Sequence, residues 1–128
     1  LVVARVKALR LGDGLEAGVT LGPLVSAAGR DKVAAHVEDA VAKGGRVLTG
    51  GSRPAPGSGL DAGTFFEPTV IVDSTIDMRC FKEETFGPLV PLFRFDSESE
   101  AVQLANDTEY GLAEFMDIKY VCMGLNYQ

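Results

Sequence analysis

Lys82-Glu83-Glu84-Thr85-Phe86-Gly87-Pro88, running straight into Leu89-Val90-Pro91-Leu92-Phe93-Arg94-Phe95, is the stretch whose reading decides the fold. Gly-Pro punctuates a turn, and the apolar run from Leu89 to Phe95 predicts a strand. Ser97 with Glu100 then forms a capping box that opens a helix carrying Ala101, Leu104 and Ala105 on one face. A strand followed by a helix implies a crossover, so the segment predicts an α/β layer built on a parallel sheet. In such layers ligands gather at the carboxyl ends of strands, near turns like the one holding Glu84. A carboxylate there can accept hydrogen bonds from both hydroxyls of a ribose, while the ring of Phe86, two residues on, can pack against a flat heterocycle. Paired glutamates are more often a solvated face, so residue types alone leave both readings standing.

Upstream, Val2, Val3, Val6 and Leu9 recur at helical spacing; Leu1 to Leu11 reads as helix, with Gly12-Asp13-Gly14 expected to stop it in left-handed backbone. A second helix begins around Ser26. Val33, Val37, Ala40 and Val41 form its apolar stripe, Lys32, Glu38 and Asp39 its polar face, and Gly44-Gly45 its stop. His36, two places from Glu38, is read as a surface residue on the polar side. Arg46 to Thr49 is a short strand, and Gly50 to Gly63 a solvent-exposed loop rich in Gly, Pro and Ser. Phe66 to Val72 is expected as a further strand, with Pro68 near its start, where a missing amide donor is best tolerated. Alternation puts Glu67 on the face opposite Phe66 as an exposed carboxylate. Asn106 to Gly111 reads as a helix stop and turn, and no internal repeat is visible.

At 128 residues the chain is long enough for one domain, which at this size buries roughly two thirds of the surface its unfolded form exposes. It is 46% apolar and 23% charged, with no apolar run near the roughly 20 residues that a membrane span needs. A net charge of −6 and a pI near 4.7 argue against a nucleic-acid surface, which requires a basic patch. Small molecules and proteins remain as partners. Cys80 and Cys122 are too few and too far apart for a disulfide framework, and neither lies in a Cys-x-x-Cys pattern, so a reducing, intracellular setting is the default and no metal site is visible.

With these elements placed, Glu83-Glu84-Thr85-Phe86-Gly87-Pro88 resembles the glutamate-phenylalanine-glycine-proline motif of the NAD(P)-dependent aldehyde dehydrogenases. Gly12-Asp13-Gly14, Leu21-Gly22-Pro23-Leu24, Gly44-Gly45 to Gly50-Gly51, Phe65-Phe66-Glu67-Pro68-Thr69 and Asn106-Asp107-Thr108-Glu109-Tyr110-Gly111-Leu112 fall in the same order as in that family. The resemblance covers Leu1 to Ala113 continuously. Ile118-Lys119-Tyr120-Val121-Cys122 is similar to the C-terminal tail of succinate-semialdehyde dehydrogenases. The resemblance implies that residues 1–113 are part of an aldehyde dehydrogenase catalytic domain and that 114–128 form a C-terminal oligomerisation tail. It implies oxidation of a small-molecule aldehyde, succinate semialdehyde, to the acid with NAD or NADP by a homo-oligomer of cytoplasm or mitochondrion. Within the site, it implies that Glu84 binds the ribose beside the nicotinamide and that Phe86 contacts the same end of the cofactor.

In the family a cysteine thiolate attacks the aldehyde, and a glutamate activates the water that releases the acid. Those residues and the dinucleotide domain precede Leu1 in the family's order, and further segments fall between Ala113 and Glu114. The chain is therefore expected to be a piece of an enzyme, with no catalytic residue of its own and no activity alone. Cys80 does not sit in the family's glycine-flanked loop, and the charges of Arg79 and Lys82 oppose those of Glu83 and Glu84 around its thiol. Cys122 reads as a small apolar tail residue; Lys82 and Glu83 read as solvated neighbours of the motif. A second reading makes the chain a non-catalytic protein that docks on intact dehydrogenase subunits through a tail strand at Phe115 to Val121. A third makes it a gene-model artefact without a role.

Overall fold

The computed structural model describes residues 1–107. Along them run α1 (Val2–Lys7), α2 (Ala27–Ala42), β1 (Arg46–Thr49), β2 (Thr69–Ser74), α3 (Arg79–Lys82), β3 (Leu89–Phe93) and α4 (Glu98–Asn106). The domain boundary at Ala113, the tail strand from Phe115 to Val121, Cys122 and most of the turn expected over 106–111 lie outside the described residues.

α2 forms where its sequence asks it to. The Ser26 hydroxyl accepts a hydrogen bond from the Gly29 amide at 3.1 Å and so caps one of the helix's orphan donors. At the other end the Gly45 amide bonds to the Ala40 carbonyl at 2.8 Å and the Gly44 amide to that of Val41 at 3.1 Å. With Gly44 at φ +96°, this is the Schellman arrangement that glycine enters without a Cβ penalty. Behind the helix stands a three-stranded sheet in the order β1-β2-β3. β2 and β3 run parallel, pairing Thr69 with Leu89 and Ile71 with Pro91. β1 pairs with β2 antiparallel, Val47 facing Ile71. The sheet is therefore mixed, not wholly parallel, because β1 reaches β2 through the 50–63 loop without a crossover helix. Val33, Val37 and Ala40 of α2 close over Phe66, Ile71, Met78, Cys80 and Leu89 to make the core.

Several expectations are corrected. α1 ends at Lys7, well before the glycines. Gly12 and Gly14 do not adopt positive φ; instead Leu11 bridges Leu21, and Gly12 is needed because a Cβ there would lie 2.9 Å from Val19 Cγ2. β2 starts at Thr69 rather than Phe66, since Phe66 turns wholly into the core and Glu67 is half-buried just ahead of the strand. The stripe of α2 passes through Val33, His36, Val37 and Ala40, while Val41 is 50% exposed. α4 has the serine cap of the expected capping box, with the Glu100 amide on Ser97 Oγ at 3.2 Å, while Glu100 Oε2 accepts from the Asp96 amide at 2.8 Å, one residue ahead of the cap. Ala101, Leu104 and Ala105 on that helix are half-buried.

Candidate functional site

The turn that carries Glu84 precedes β3, and the Thr69 amide at the start of β2 donates to the Pro88 carbonyl at 2.8 Å. It thus lies at the amino ends of the parallel pair, not at the carboxyl ends where ligands of such sheets ordinarily gather. The chain tightens here through two successive three-residue turns: the Gly87 amide bonds to the Thr85 carbonyl at 3.0 Å, and the Leu89 amide to that of Gly87 at 2.8 Å. Gly87 is also a point of close approach to α2, because a Cβ on it would strike Val33 Cγ2 and lie 3.0 Å from Leu24 Cδ2.

One turn of α2 beyond Val33 stands His36, completely buried. It is not the surface residue that its position beside Glu38 suggests. Its Nδ1 lies 2.6 Å from Thr85 Oγ1 and its Nε2 3.1 Å from Glu83 Oε2. Glu83 is not simply solvated either, for Arg79 grips it with a two-pronged contact, Nε to Oε1 at 2.8 Å and Nη2 to Oε2 at 3.1 Å. Those hydrogen bonds, from Arg79 first and from His36 second, pull the Glu83 carboxyl down to about 2. An ionised Glu83 can only accept, so His36 Nε2 carries the proton and donates. Neutral imidazole then leaves Nδ1 to accept the Thr85 hydroxyl proton. Burial lowers the His36 pKa from its ordinary value, and Glu83 opposes that shift without overcoming it.

Side chains along the turn consequently alternate. Glu83 and Thr85 point back to His36, with Thr85 buried, whereas Glu84 and Phe86 face solvent, the Phe86 ring 70% exposed. Glu84 and Phe86, the two residues that the resemblance ties to the cofactor, are thus both exposed on one turn. His36, Glu83 and Thr85 are the residues that sequence reasoning missed. The spacing from Val33 through His36 to Ala40 matches the core stripe and is the signal that could have found the histidine.

The remaining candidates lie elsewhere. Cys80 is 2% exposed within the core cluster and is closed to a substrate from solvent. Lys82 is exposed. A shallow cavity of about 460 Å³ follows α4, lined by Glu100, Val102, Gln103, Leu104, Asn106 and Asp107, and shares no residue with the turn. Among the described residues no cluster of three or more His, Cys, Asp or Glu could hold a metal ion, and no helix is long and apolar enough to cross a membrane.

Helices layered on a sheet with a parallel strand pair make this an α/β domain. The chain belongs to the aldehyde dehydrogenase family, whose model matches residues 1–116. It is 48% identical over 112 residues to the succinate semialdehyde dehydrogenase of Acinetobacter baylyi, covering 88% of this chain and 22% of that enzyme. It is 46% identical over 138 aligned positions to the 3-sulfolactaldehyde dehydrogenase of Pseudomonas putida, covering 98% of this chain and 27% of the relative. Among solved structures, the succinate-semialdehyde dehydrogenase of Burkholderia pseudomallei superposes with a TM-score of 0.75 at 55% identity, over 83% of this chain and 21% of that one. A betaine aldehyde dehydrogenase of Staphylococcus aureus in complex with NAD+ gives 0.76 at 42% identity, over 83% and 21%. The chain thus spans about a fifth to a quarter of the length of these relatives.

Proposed function

We propose that this chain supplies the nicotinamide-side clamp of an NAD(P)-dependent aldehyde dehydrogenase, with Glu84 accepting hydrogen bonds from the ribose hydroxyls and Phe86 packing at the same end of the cofactor. The observation that carries the reading is the alternation along the turn: Glu83 and Thr85 are fastened inward, and Glu84 and Phe86 are left outward together. When bound, the cofactor accepts the hydride that turns the aldehyde into an acid. The chain's own contribution is orientation, since a diol held by one carboxylate cannot rotate, and a ring alongside restricts the heterocycle. Residues 1–113 form part of the catalytic domain in this reading, and 114–128 form the oligomerisation tail of a homo-oligomer.

The substrate is an aldehyde that carries an anionic group at its far end, succinate semialdehyde being the preferred member. Three relatives support this class by name, the Acinetobacter succinate semialdehyde and Pseudomonas putida 3-sulfolactaldehyde enzymes together with the glutarate-semialdehyde dehydrogenase of Pseudomonas aeruginosa, 51% identical over 112 residues. All three substrates pair an aldehyde with a carboxylate or sulfonate.

The deciding experiment is Glu84→Gln in the complete dehydrogenase subunit to which this reading assigns the chain. Hydrogen bonds to a charged acceptor contribute on the order of 1.5 to 3 kcal/mol each, so single-turnover NAD(P)H formation should slow at least tenfold. An unchanged rate would overturn the assignment. The 128-residue chain by itself should form no NAD(P)H from aldehyde.

A further inference from the structure

We propose that His36 is a positioning residue for the cofactor clamp: from inside the domain it fixes the turn by hydrogen bonds to Glu83 and Thr85, so that Glu84 and Phe86 are held outward in register. The proposal rests on the reading of Glu84 and Phe86 given above.

Three observations carry it. The histidine is fully buried and is the chain's only one, yet both ring nitrogens are engaged, at 2.6 Å and 3.1 Å, by residues two apart in sequence. Anchoring Glu83 and Thr85 restricts the backbone that carries Glu84 between them, and Glu84 itself is exposed. The backbone is closed on the other side by Gly87 against Val33, one turn of α2 before His36. One helix face therefore grips the turn at both ends. A buried neutral histidine bonded only for packing could donate to any backbone carbonyl nearby and accept from any backbone amide. This one bonds to the two side chains that bracket Glu84.

The same geometry makes the clamp proton-sensitive. Protonation of His36 puts a hydrogen on Nδ1 and forces Thr85 Oγ1 to turn from donor to acceptor, while strengthening the pull on Glu83. The charged groups that act on the ring are Glu83 and Arg79 across the contact and Lys32 on its own helix.

Thr85→Val tests the idea, because it keeps the shape of the buried side chain and removes the hydroxyl. In the complete subunit, hydride transfer should slow roughly tenfold, with the KM for aldehyde unchanged, and Thr85→Ser should restore it. Without cofactor or substrate, amide protection over 83–87, taken relative to the intrinsic exchange rate at each pH, should fall in Thr85→Val and in His36→Gln, and should fall in the unmutated protein as pH drops through the His36 titration. Full-rate hydride transfer by a folded Thr85→Val, or protection in the turn that ignores both pH and mutation, would overturn the proposal. Glu84→Gln separates the two ideas. If it too transfers hydride at full rate, the cofactor assignment fails and the positioning role falls with it; if only Glu84→Gln is slow, the positioning role of His36 alone fails.

Discussion

His36 and Thr85 stand 49 positions apart in the chain and meet inside the domain, Nδ1 to Oγ1 at 2.6 Å. This contact ties α2, the longest helix among the described residues, to the turn that precedes β3. It also brings a titratable group into the core, where its charged form is disfavoured by burial.

Stability should therefore fall in acid. His36 has its ordinary value of 6.5 when unfolded and a lower one when folded, so between the two the unfolded chain binds more protons and stability rises with pH. Glu83 drops from 4.5 unfolded to about 2 folded; its contribution is present above 4.5 and is lost as pH falls towards 2. Both act in one direction. Urea midpoints should decline from about pH 6.5 downward, and His36→Gln should flatten the upper part of that decline. A constant midpoint between about pH 7 and 5 would show that the ring is not buried neutral.

Gly87→Ala should unseat the turn. The added methyl meets Val33, which is 1% exposed and held within the core, and overpacking of this kind costs about 1–3 kcal/mol. A lower Tm with faster amide exchange over 83–87 is the expected result. An unchanged Tm would mean that α2 and the turn are not in contact.

Much of this architecture is legible in the sequence, for physical reasons that differ by element. The start and stop of α2 can be read because a serine cap and a Gly-Gly stop act through the local backbone alone. β1 and β3 follow from short apolar runs bounded by turns. The start of β2 cannot be read this way, since the ring of Phe66 looks the same in sequence whether it sits in a strand or enters the core ahead of one. His36 is misread because polarity outweighs periodicity in a stripe, although the bonds that permit its burial come from Thr85 and Glu83, far along the chain. Glu84 and Phe86 are singled out in sequence only by the family resemblance, whereas the contacts of their neighbours Glu83 and Thr85 to His36 are tertiary and no local pattern records them.

Phe66→Ala should remove much of the chain's cooperativity. The ring is 1% exposed and lies in the cluster that α2 and β2 share, and such truncations cost about 3–5 kcal/mol. That is a large part of the roughly 5–15 kcal/mol by which domains are ordinarily stable. Loss of the sigmoidal urea transition is expected. A midpoint close to the unmutated one would place Phe66 outside the core.

Phe86→Ala and Phe81→Ala, five residues apart, should behave oppositely. Phe81 is 1% exposed and meets Phe93 edge to face, centroids 5.4 Å apart at 65°, so its loss should destabilise by about 3–5 kcal/mol. Phe86 is 70% exposed, and removing a side chain that touches mostly water should alter stability by no more than about 0.5 kcal/mol. Its energetic role, in the proposed reading, appears only with a nucleotide present. In the complete subunit, calorimetric titration of NAD(P)+ into Phe86→Ala should show affinity weakened by roughly three- to tenfold, the range of an aromatic contact worth about 1 kcal/mol. Stability retained with affinity reduced would assign the ring to ligand contact. Stability and affinity both unchanged would leave Phe86 as solvent-facing surface, and the clamp would then rest on Glu84 alone.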